Sequence, residues 1–188
     1  MNEIAKHAWV LIICTLAWVH APGAAAQISI QPTLPLYEPQ TPFVEEDFAW
    51  ALKPGAGVIA GQGVLRAQGG ILMPATGEAV TLVPRTPFTD DIVAATRTEG
   101  LFERYENAKR PPAYEKYRRV VIADDRGYFR FENLPAGEWY IVTRVLWLTS
   151  DQLGQSILNG GLMWGQITLK DGEVRDDLKL DSTTELIR

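Results

Sequence analysis

Short strand-like runs separated by turn signals make up most of the sequence after residue 56, and this pattern limits the fold more than any other feature. Turns are indicated by clusters of Asp, Asn, Pro and Gly at Asp124–Gly127, Asn133–Gly137 and Asp171–Gly172. The last of these predicts a hairpin between the two strands that flank it. The predicted strands are Gly57–Ala67, Ala79–Val83, Val120–Ala123, Tyr128–Glu132, Glu138–Leu148, Trp164–Lys170 and Val174–Leu180. Six or more short strands at this spacing favour an all-β antiparallel sandwich over alternating β and α units.

One long segment, residues 85–119, interrupts this pattern between the second and third predicted strands. It is too long for a hairpin turn. Thr89 followed by Asp90 and Asp91 is typical of a helix start, because a hydroxyl caps the first turn and acidic groups favour the positive end of the helix dipole. We therefore predict a partly helical insertion. A catalytic pair of carboxylates at Asp90 and Asp91 is less favoured, because adjacent side chains diverge on a helix.

The composition is that of an ordinary globular protein. Hydrophobic residues make up 46% of the 188 positions and charged residues 22%, which excludes a disordered, collagen-like or coiled-coil chain. The length fits one domain with extensions better than two full domains. Because the net charge is −5, we expect no nucleic-acid partner and no general affinity for an anionic membrane.

Residues 1–26 are predicted to be a secretory signal peptide. Lys6 gives a short basic start, an apolar run spans residues 8–19, and three alanines at residues 24–26 offer a cleavage site before Gln27. We therefore predict an exported protein, either periplasmic or secreted, without a transmembrane segment once the peptide is removed.

Two membrane-anchored alternatives remain open and are less favoured. An uncleaved anchor would need about 20 apolar residues to cross the bilayer, and the apolar run has about 12. A lipoprotein would be acylated at Cys14. However, Cys14 lies inside the apolar run and follows the bulky Ile13, where lipoprotein signal peptides have a small residue.

Cleavage after residue 26 would remove all histidine and cysteine from the chain, namely His7, Cys14 and His20. Without imidazole or thiol groups the chain cannot form a Ser-His-Asp or Cys-His triad, a disulfide, or a zinc site built on His or Cys. We therefore predict no catalytic, cofactor-binding or metal-binding residues and no enzyme activity. An enzyme that uses carboxylates alone, as glycosidases do, is the least favoured alternative.

Residues 27–56 are predicted to form a proline-rich arm ahead of the domain. Four prolines between residues 32 and 42 disfavour a central strand or a long helix. Phe43, Phe48 and Trp50 are large apolar groups for a linker. They favour an arm pinned onto the domain over a free tail.

The stretch from Ile122 to Tyr140 resembles the carboxypeptidase regulatory-like domain. The positions that carry the resemblance are Asp124, Gly127, Phe129, Phe131, Leu134, Pro135, Gly137 and Tyr140. The resemblance implies a small immunoglobulin-like or transthyretin-like sandwich of about seven strands over residues 57–188, commonly a non-catalytic module of secreted or envelope proteins. The insertion at residues 85–119 departs from the family, and it either covers the sandwich or forms its binding surface.

Two further groups of residues are interpreted structurally. Asp124 and Asp125 with Glu132 lack the alternating spacing of a calcium loop, so turn capping is the favoured role. The glycines between residues 55 and 63 match no phosphate-binding motif and are better explained as irregularities in a strand.

Aromatic and basic residues supply the candidate binding surface. If Tyr140 faces the core, as the resemblance implies, Trp139 and Trp147 share the opposite face, either beneath the insertion or exposed to a ligand. The basic end of the insertion fits either an anionic partner or a solvated loop with docked tyrosines. Residues 149–162 are polar and glycine-rich, and we predict a mobile loop there. The candidate surface consists of Trp139, Trp147, Trp164, Tyr114, Tyr117, Arg118 and Arg119.

The function predicted from these features is that of a non-catalytic, exported binding module for a protein or polysaccharide partner in the cell envelope. The alternative is a structural component of a cell-surface machine that docks through an exposed edge strand. A long unprotected edge would favour docking, whereas an exposed aromatic patch beside basic residues would favour ligand binding.

Overall fold

Two β-sheets packed face to face form the body of the protein. The computed structural model describes residues 36–99, 108–181 and 186–187. The strands in these ranges are β1 (Gly57–Arg66), β2 (Leu72–Pro74), β3 (Ala79–Pro84), β4 (Arg119–Ile122), β5 (Tyr128–Leu134), β6 (Gly137–Ser150), β7 (Ser156–Leu169), β8 (Val174–Leu180) and β9 (Leu186–Ile187). The helices are α1 (Glu45–Phe48) and α2 (Pro87–Glu99), with 3-10 turns at Ala49–Leu52, Gln68–Gly70 and Pro112–Tyr117.

The first sheet is built around β1. The strands β2 and β5 pair with β1 antiparallel, and β8 pairs with it in parallel. The second sheet has the order β4-β3-β6-β7-β9, and each neighbouring pair in it is antiparallel. The all-β sandwich with a partly helical insertion is thus confirmed. Its described part has nine strands rather than about seven, because β2 and β9 add short segments at Leu72–Pro74 and Leu186–Ile187.

The predicted hairpin around Asp171 and Gly172 is wrong. The turn is present, but β7 belongs to the second sheet, whereas β8 crosses to the first sheet and lies parallel to β1. Gly61 permits this close approach, because a Cβ atom at that position would lie 2.1 Å from the carbonyl oxygen of Leu178. A turn signal predicts that the chain reverses, but it does not determine which sheet the next strand joins.

The predicted mobile loop at residues 149–162 is also wrong. The strands β6 and β7 pair without a break from Gly137 opposite Leu169 to Ser150 opposite Ser156. Asp151 closes the turn of this hairpin, since its Oδ1 accepts the backbone N–H groups of Leu153 and Gln155 at 2.8 Å each. Cross-strand hydrogen bonds therefore outweigh the weak strand propensity of the local sequence.

The main core lies between the two sheets. Phe129 and Phe131 of β5 point into it, as residues two apart on one strand face do. The fully buried Trp139 and Ile141 of β6 belong to the same core from the side of the second sheet. Asp124 orders the turn before β5, because its Oδ1 accepts the N–H groups of Arg126 and Tyr128 at 2.9 and 2.8 Å.

A second core covers the outer face of the second sheet. Val83, Tyr140 and Trp164 supply the sheet side of this core. The covering side comes from the insertion, through α2 and the 3-10 turn Pro112–Tyr117, and from the arm. In the arm, Phe48 is fully buried, and its ring lies 4.9 Å from that of Phe43 and 5.1 Å from that of Tyr117. The described part of the arm is therefore packed on the domain.

The predicted signal peptide, residues 1–26, lies outside the described residues and stays a prediction. Among the described residues, no helix has the length and apolar character needed to cross a membrane.

Candidate binding cleft

A partly open cleft of about 340 Å³ lies on the outer face of the second sheet, next to the insertion. Its volume falls in the range of about 300–1,000 Å³ that is typical of ligand sites. The residues that line it are Ala79, Thr81, Arg110, Arg118, Val142, Thr143, Arg144 and Leu162. The cleft therefore has an apolar and hydroxyl-bearing floor and arginine walls.

The floor of the cleft comes from three neighbouring strands. Thr81 lies on β3, Val142 is its register partner on β6, and Leu162 lies on β7. All three side chains are buried, so the floor is firmly packed. The hydroxyl of Thr81 has no hydrogen-bond partner among the described residues. By contrast, the Thr143 hydroxyl already donates to the Ala79 carbonyl oxygen at 3.1 Å.

The walls of the cleft are arginines from two parts of the chain. Arg110 and Arg118 flank the 3-10 turn Pro112–Tyr117, which is anchored because Tyr114 and Tyr117 are buried in the second core. Arg144 follows Val142 by two positions on β6, so both side chains belong to the same face of the sheet. The insertion and the sheet thus bring three guanidinium groups to one cleft.

The arginines are held by partners at the edge of the cleft. Arg118 Nη1 donates to Glu115 Oε2 at 2.6 Å, and Arg144 Nε donates to Glu78 Oε2 at 2.8 Å. Arg110 lies with its guanidinium 5.6 Å from the centre of the Tyr114 ring, a cation–π contact. Ion pairs this exposed contribute little, about 0–1 kcal/mol, so a ligand anion can compete with the glutamates.

A broader groove continues this basic surface between β4 and β5. It is lined by Arg118, Arg119, Val120, Val121, Arg130, Phe131 and Glu132. Arg118 lines both depressions and connects them. Arg119 donates to the Ala51 carbonyl oxygen at 3.2 Å, and Arg130 pairs with Glu132 at 2.6 Å.

The structure packs the predicted tryptophans against the two cores and not on an open surface patch. Trp139 has no exposed surface and packs edge-on against Trp50, with ring centres 4.9 Å apart. Trp147 is half-buried against the main core, and Trp164 is 9% exposed beneath the insertion. The predicted faces of β6 are therefore reversed: Trp139 and Trp147 face the main core, and Tyr140 faces the second core.

The reversal has a physical cause. Successive side chains of a strand point to opposite faces, so the sequence shows which residues share a face. It shows which face is the core face only when the other face is polar and exposed to water. Between Trp139 and Val142 both faces of β6 are covered, one by the first sheet and one by the insertion. Both sets of side chains are consequently apolar, and the sequence cannot distinguish them.

The tyrosines and arginines of the predicted surface have different positions. Tyr114 and Tyr117 are 1% and 3% exposed, so they support the insertion and do not face solvent. Arg118 lines the cleft, and Arg119 lines the neighbouring groove. Sequence reasoning missed Arg144, although a charged residue inside the apolar run of β6 is a signal that could have identified it.

The carboxylates at the start of α2 have structural partners. Asp91 accepts the Tyr37 hydroxyl at 2.7 Å and the Thr41 backbone N–H at 2.6 Å, which ties the arm to the insertion. Burial acts to raise the pKa of Asp91, but these hydrogen bonds outweigh it and hold the pKa below its ordinary value. Asp90 accepts the Tyr140 hydroxyl at 2.6 Å and pairs with Arg85 at 3.0 Å. Each aspartate is therefore engaged separately.

The contact between Tyr140 and Asp90 predicts a loss of stability at alkaline pH. Burial raises the pKa of Tyr140 to about 12, and the hydrogen bond to Asp90 acts in the same direction. In the unfolded chain this phenol ionises near pH 10. The stabilisation of the folded state by the neutral, buried phenol is therefore complete below pH 10 and is lost as the pH rises towards 12. Urea unfolding between pH 8 and 11.5 is expected to show a smaller alkaline loss for Tyr140→Phe than for the wild type. Equal losses in the two proteins would contradict this prediction.

Comparison with solved structures gives a related fold. The chain matches the crystal structure of a "putative carbohydrate binding protein" from Pseudomonas aeruginosa with a TM-score of 0.62 and 25% sequence identity. The match covers 74% of this chain and 97% of the other. No protein-family model matches the sequence, and no curated protein matches it significantly. The fold and the cleft are thus consistent with a binding module, while membership of the carboxypeptidase regulatory-like family stays a prediction.

Proposed function

We propose that this protein is a non-catalytic carbohydrate-binding module and that its ligand occupies the cleft beside the insertion. The observation that carries the proposal is the cleft itself, where arginine side chains and the Thr81 hydroxyl surround an apolar floor. Sugars present both hydroxyl groups and apolar C–H faces, so a floor and walls of this kind suit them. The carbohydrate-binding description of the structural neighbour supports the same ligand class.

The lining of the cleft also argues against glycosidase chemistry at this place. Hydrolysis of a glycosidic bond requires two carboxyl groups about 5–9.5 Å apart on either side of the bond. Among the described residues that line the cleft, none carries a carboxylate. The described lining residues therefore supply no acid–base pair to a bound glycan.

A bulky residue at the rim tests the location of the site. Ala79 is exposed and lines the cleft, so Ala79→Trp fills it without disturbing either core. Ala136 is also exposed but lies in the turn between β5 and β6, so Ala136→Trp is a matched control. In glycan-array and calorimetric titrations, we expect Ala79→Trp to weaken glycan binding at least tenfold and Ala136→Trp to leave it unchanged. Absence of glycan binding by the wild type, or equal binding by both variants, would refute the proposal.

We also propose that the protein is exported, on the basis of the signal-peptide pattern that ends at Ala26. Expression of the full chain in its native host is expected to give a processed protein whose first residue is Gln27. Sequencing of the N-terminus after fractionation of the cells tests this. A cytoplasmic protein that keeps the segment from Met1 to Ala26 would contradict export.

The distal half of the β6–β7 hairpin favours a second candidate function, docking to a protein partner. The strand β3 pairs with β6 only over residues 139–142, and β9 pairs with β7 only at Leu162 and Met163. Residues 145–161 therefore have no further strand pairing within the described chain. The exposed apolar side chains in this distal half of the hairpin are Leu148, Leu153, Ile157 and Leu158.

This part of the hairpin lacks the usual protection of an edge strand. Between residues 145 and 161 the only charged residue is Asp151, which caps the turn, and there is no lysine or proline. Unprotected edges of this kind pair readily with another strand. We expect cross-linking in native envelopes to yield a protein partner for the wild type and for Ala79→Trp, and none for Leu158→Lys. Loss of the same partner in Ala79→Trp would assign the contact to the cleft instead.

A further inference from the structure

We propose that the ligand of the cleft is an acidic glycan and that Arg118 and Arg144 hold the carboxylate of a uronic acid unit. This inference rests on the proposed carbohydrate-binding function. Beyond that function, the ligand is negatively charged and two arginine side chains bind its charge.

The charge of the cleft lining differs in sign from the net charge of the protein. The whole chain has a net charge of −5, yet the described lining of the cleft contains three arginines and no carboxylate. Arg118 and Arg144 are each paired with one glutamate at the edge of the cleft, Glu115 and Glu78 respectively. A basic cleft in an acidic protein attracts an anionic ligand to one place instead of over the whole surface.

The positively charged side chains that line the cleft are arginines. The described residues of the walls include three arginines and no lysine, and a planar guanidinium can hold a carboxylate through two parallel hydrogen bonds. The bond from Arg118 to Glu115 uses Nη1, and no bond from its Nη2 or Nε to another described residue is present. Arg118 is thus oriented by one carboxylate while it can still receive a second from a ligand.

The floor of the cleft suits a sugar ring better than a small inorganic anion. Val142 and Leu162 form an apolar base, and the Thr81 hydroxyl is available to a ligand hydroxyl. An inorganic anion would gain nothing from the apolar base, whereas a sugar ring buries its C–H face there. The cleft is also much larger than one small anion needs.

The neighbouring groove indicates a polymer. Arg118 connects the cleft to the groove that contains Arg119 and Arg130. Successive arginines along a continuous surface match an acidic group repeated along a polysaccharide chain. The residues of this basic path come from the insertion, from β4, from β5 and from β6.

The experiment compares charged and neutral forms of the same sugars. Tetramers of galacturonate, glucuronate and mannuronate are titrated calorimetrically beside their methyl esters, which keep the ring and remove the charge. Dextran sulfate and dextran form the second pair, which distinguishes sulfate from carboxylate. We expect at least one uronate to bind at least tenfold more tightly than its ester, with affinity falling as salt is added.

Arginine variants test the two proposed side chains. Arg118→Gln and Arg144→Gln are each expected to weaken uronate binding about tenfold or more, because a hydrogen bond between charged groups is lost. Arg175→Gln removes a partly exposed arginine of β8, outside the lining of the cleft and the groove, and is expected to bind as the wild type does. If a glutamine variant fails to fold in a thermal melt, Arg118→Lys and Arg144→Lys keep the charge and remove the planar fork, and they are expected to lose part of the affinity.

The outcomes separate this inference from the proposed function. If esters and uronates bind equally and the arginine variants have no effect, while Ala79→Trp abolishes binding, the glycan function stands and the acidic ligand is overturned. Binding of dextran sulfate in the absence of uronate binding also overturns the carboxylate assignment. If no glycan of either kind binds, the proposed function itself fails.

Discussion

Replacement of Phe131 by alanine is expected to lower the free energy of unfolding by about 3–5 kcal/mol. Phe131 is 4% exposed, lies between the two sheets, and has its ring centre 6.2 Å from that of Phe129. Truncation removes buried apolar surface and leaves a cavity that two hydrogen-bonded sheets cannot easily close. Urea unfolding followed by far-ultraviolet circular dichroism measures the change.

Tyr128 provides the control for this prediction. It lies three positions earlier on β5 and is 51% exposed. Tyr128→Ala therefore removes a similar ring from the surface and is expected to cost much less stability. Equal losses for the two variants, or no loss for Phe131→Ala, would mean that Phe131 does not belong to the main core.

The second large effect is expected at Phe48 in the arm. Phe48→Ala should destabilise the protein by about 3–5 kcal/mol, as large as a substitution in the main core. Phe48 has no exposed surface, and its ring packs against those of Phe43, Phe88, Tyr114 and Tyr117. The arm therefore closes the second core and is more than a linker.

Val44→Ala is the matched control, since Val44 lies in the same segment and is 40% exposed. We expect it to change the unfolding free energy by less than about 1 kcal/mol. An unaltered melting temperature for Phe48→Ala, with only the arm becoming sensitive to protease, would show that the arm folds independently of the sandwich. In that case the second core would be stable without it.

The second core also connects stability with the cleft. Tyr114 and Tyr117 anchor the 3-10 turn between Arg110 and Arg118, so the arginine walls depend on packing that faces away from the ligand. A variant that loosens this core is therefore expected to weaken ligand binding without touching a lining residue. Stability and binding measurements should accordingly be made on the same variants.

Much of the fold is predictable from local patterns. The strands β3, β5 and β8 lie close to their predicted bounds, because alternation and turn residues act over a few positions. The helix α2 is present but begins at Pro87, so Thr89 lies inside its first turn and not at the predicted cap position. The hairpin at residues 149–162 is not predictable in this way, because its strands are stabilised mainly by each other and not by their own propensity.

The candidate site was only partly predictable. Arg118 and Arg119 were identified from the basic end of the insertion, and both line basic depressions. Trp139 was misplaced, since an indole is as well suited to a buried core as to a sugar-binding surface. Arg144 and Thr81 could be identified only when β3 and β6 were paired beside the insertion.

Local sequence patterns are sufficient to specify strands, turns and a helical insertion. The sequence also shows directly that every histidine and cysteine lies at or before His20. Three features depend instead on how distant segments come together: β8 pairs with β1, both faces of β6 are buried near Trp139, and Arg118 shares one cleft with Arg144. The reason is the range of the interactions. Backbone preferences and side-chain alternation act between near neighbours, whereas sheet pairing and the covering of a sheet depend on contacts between segments far apart in the chain.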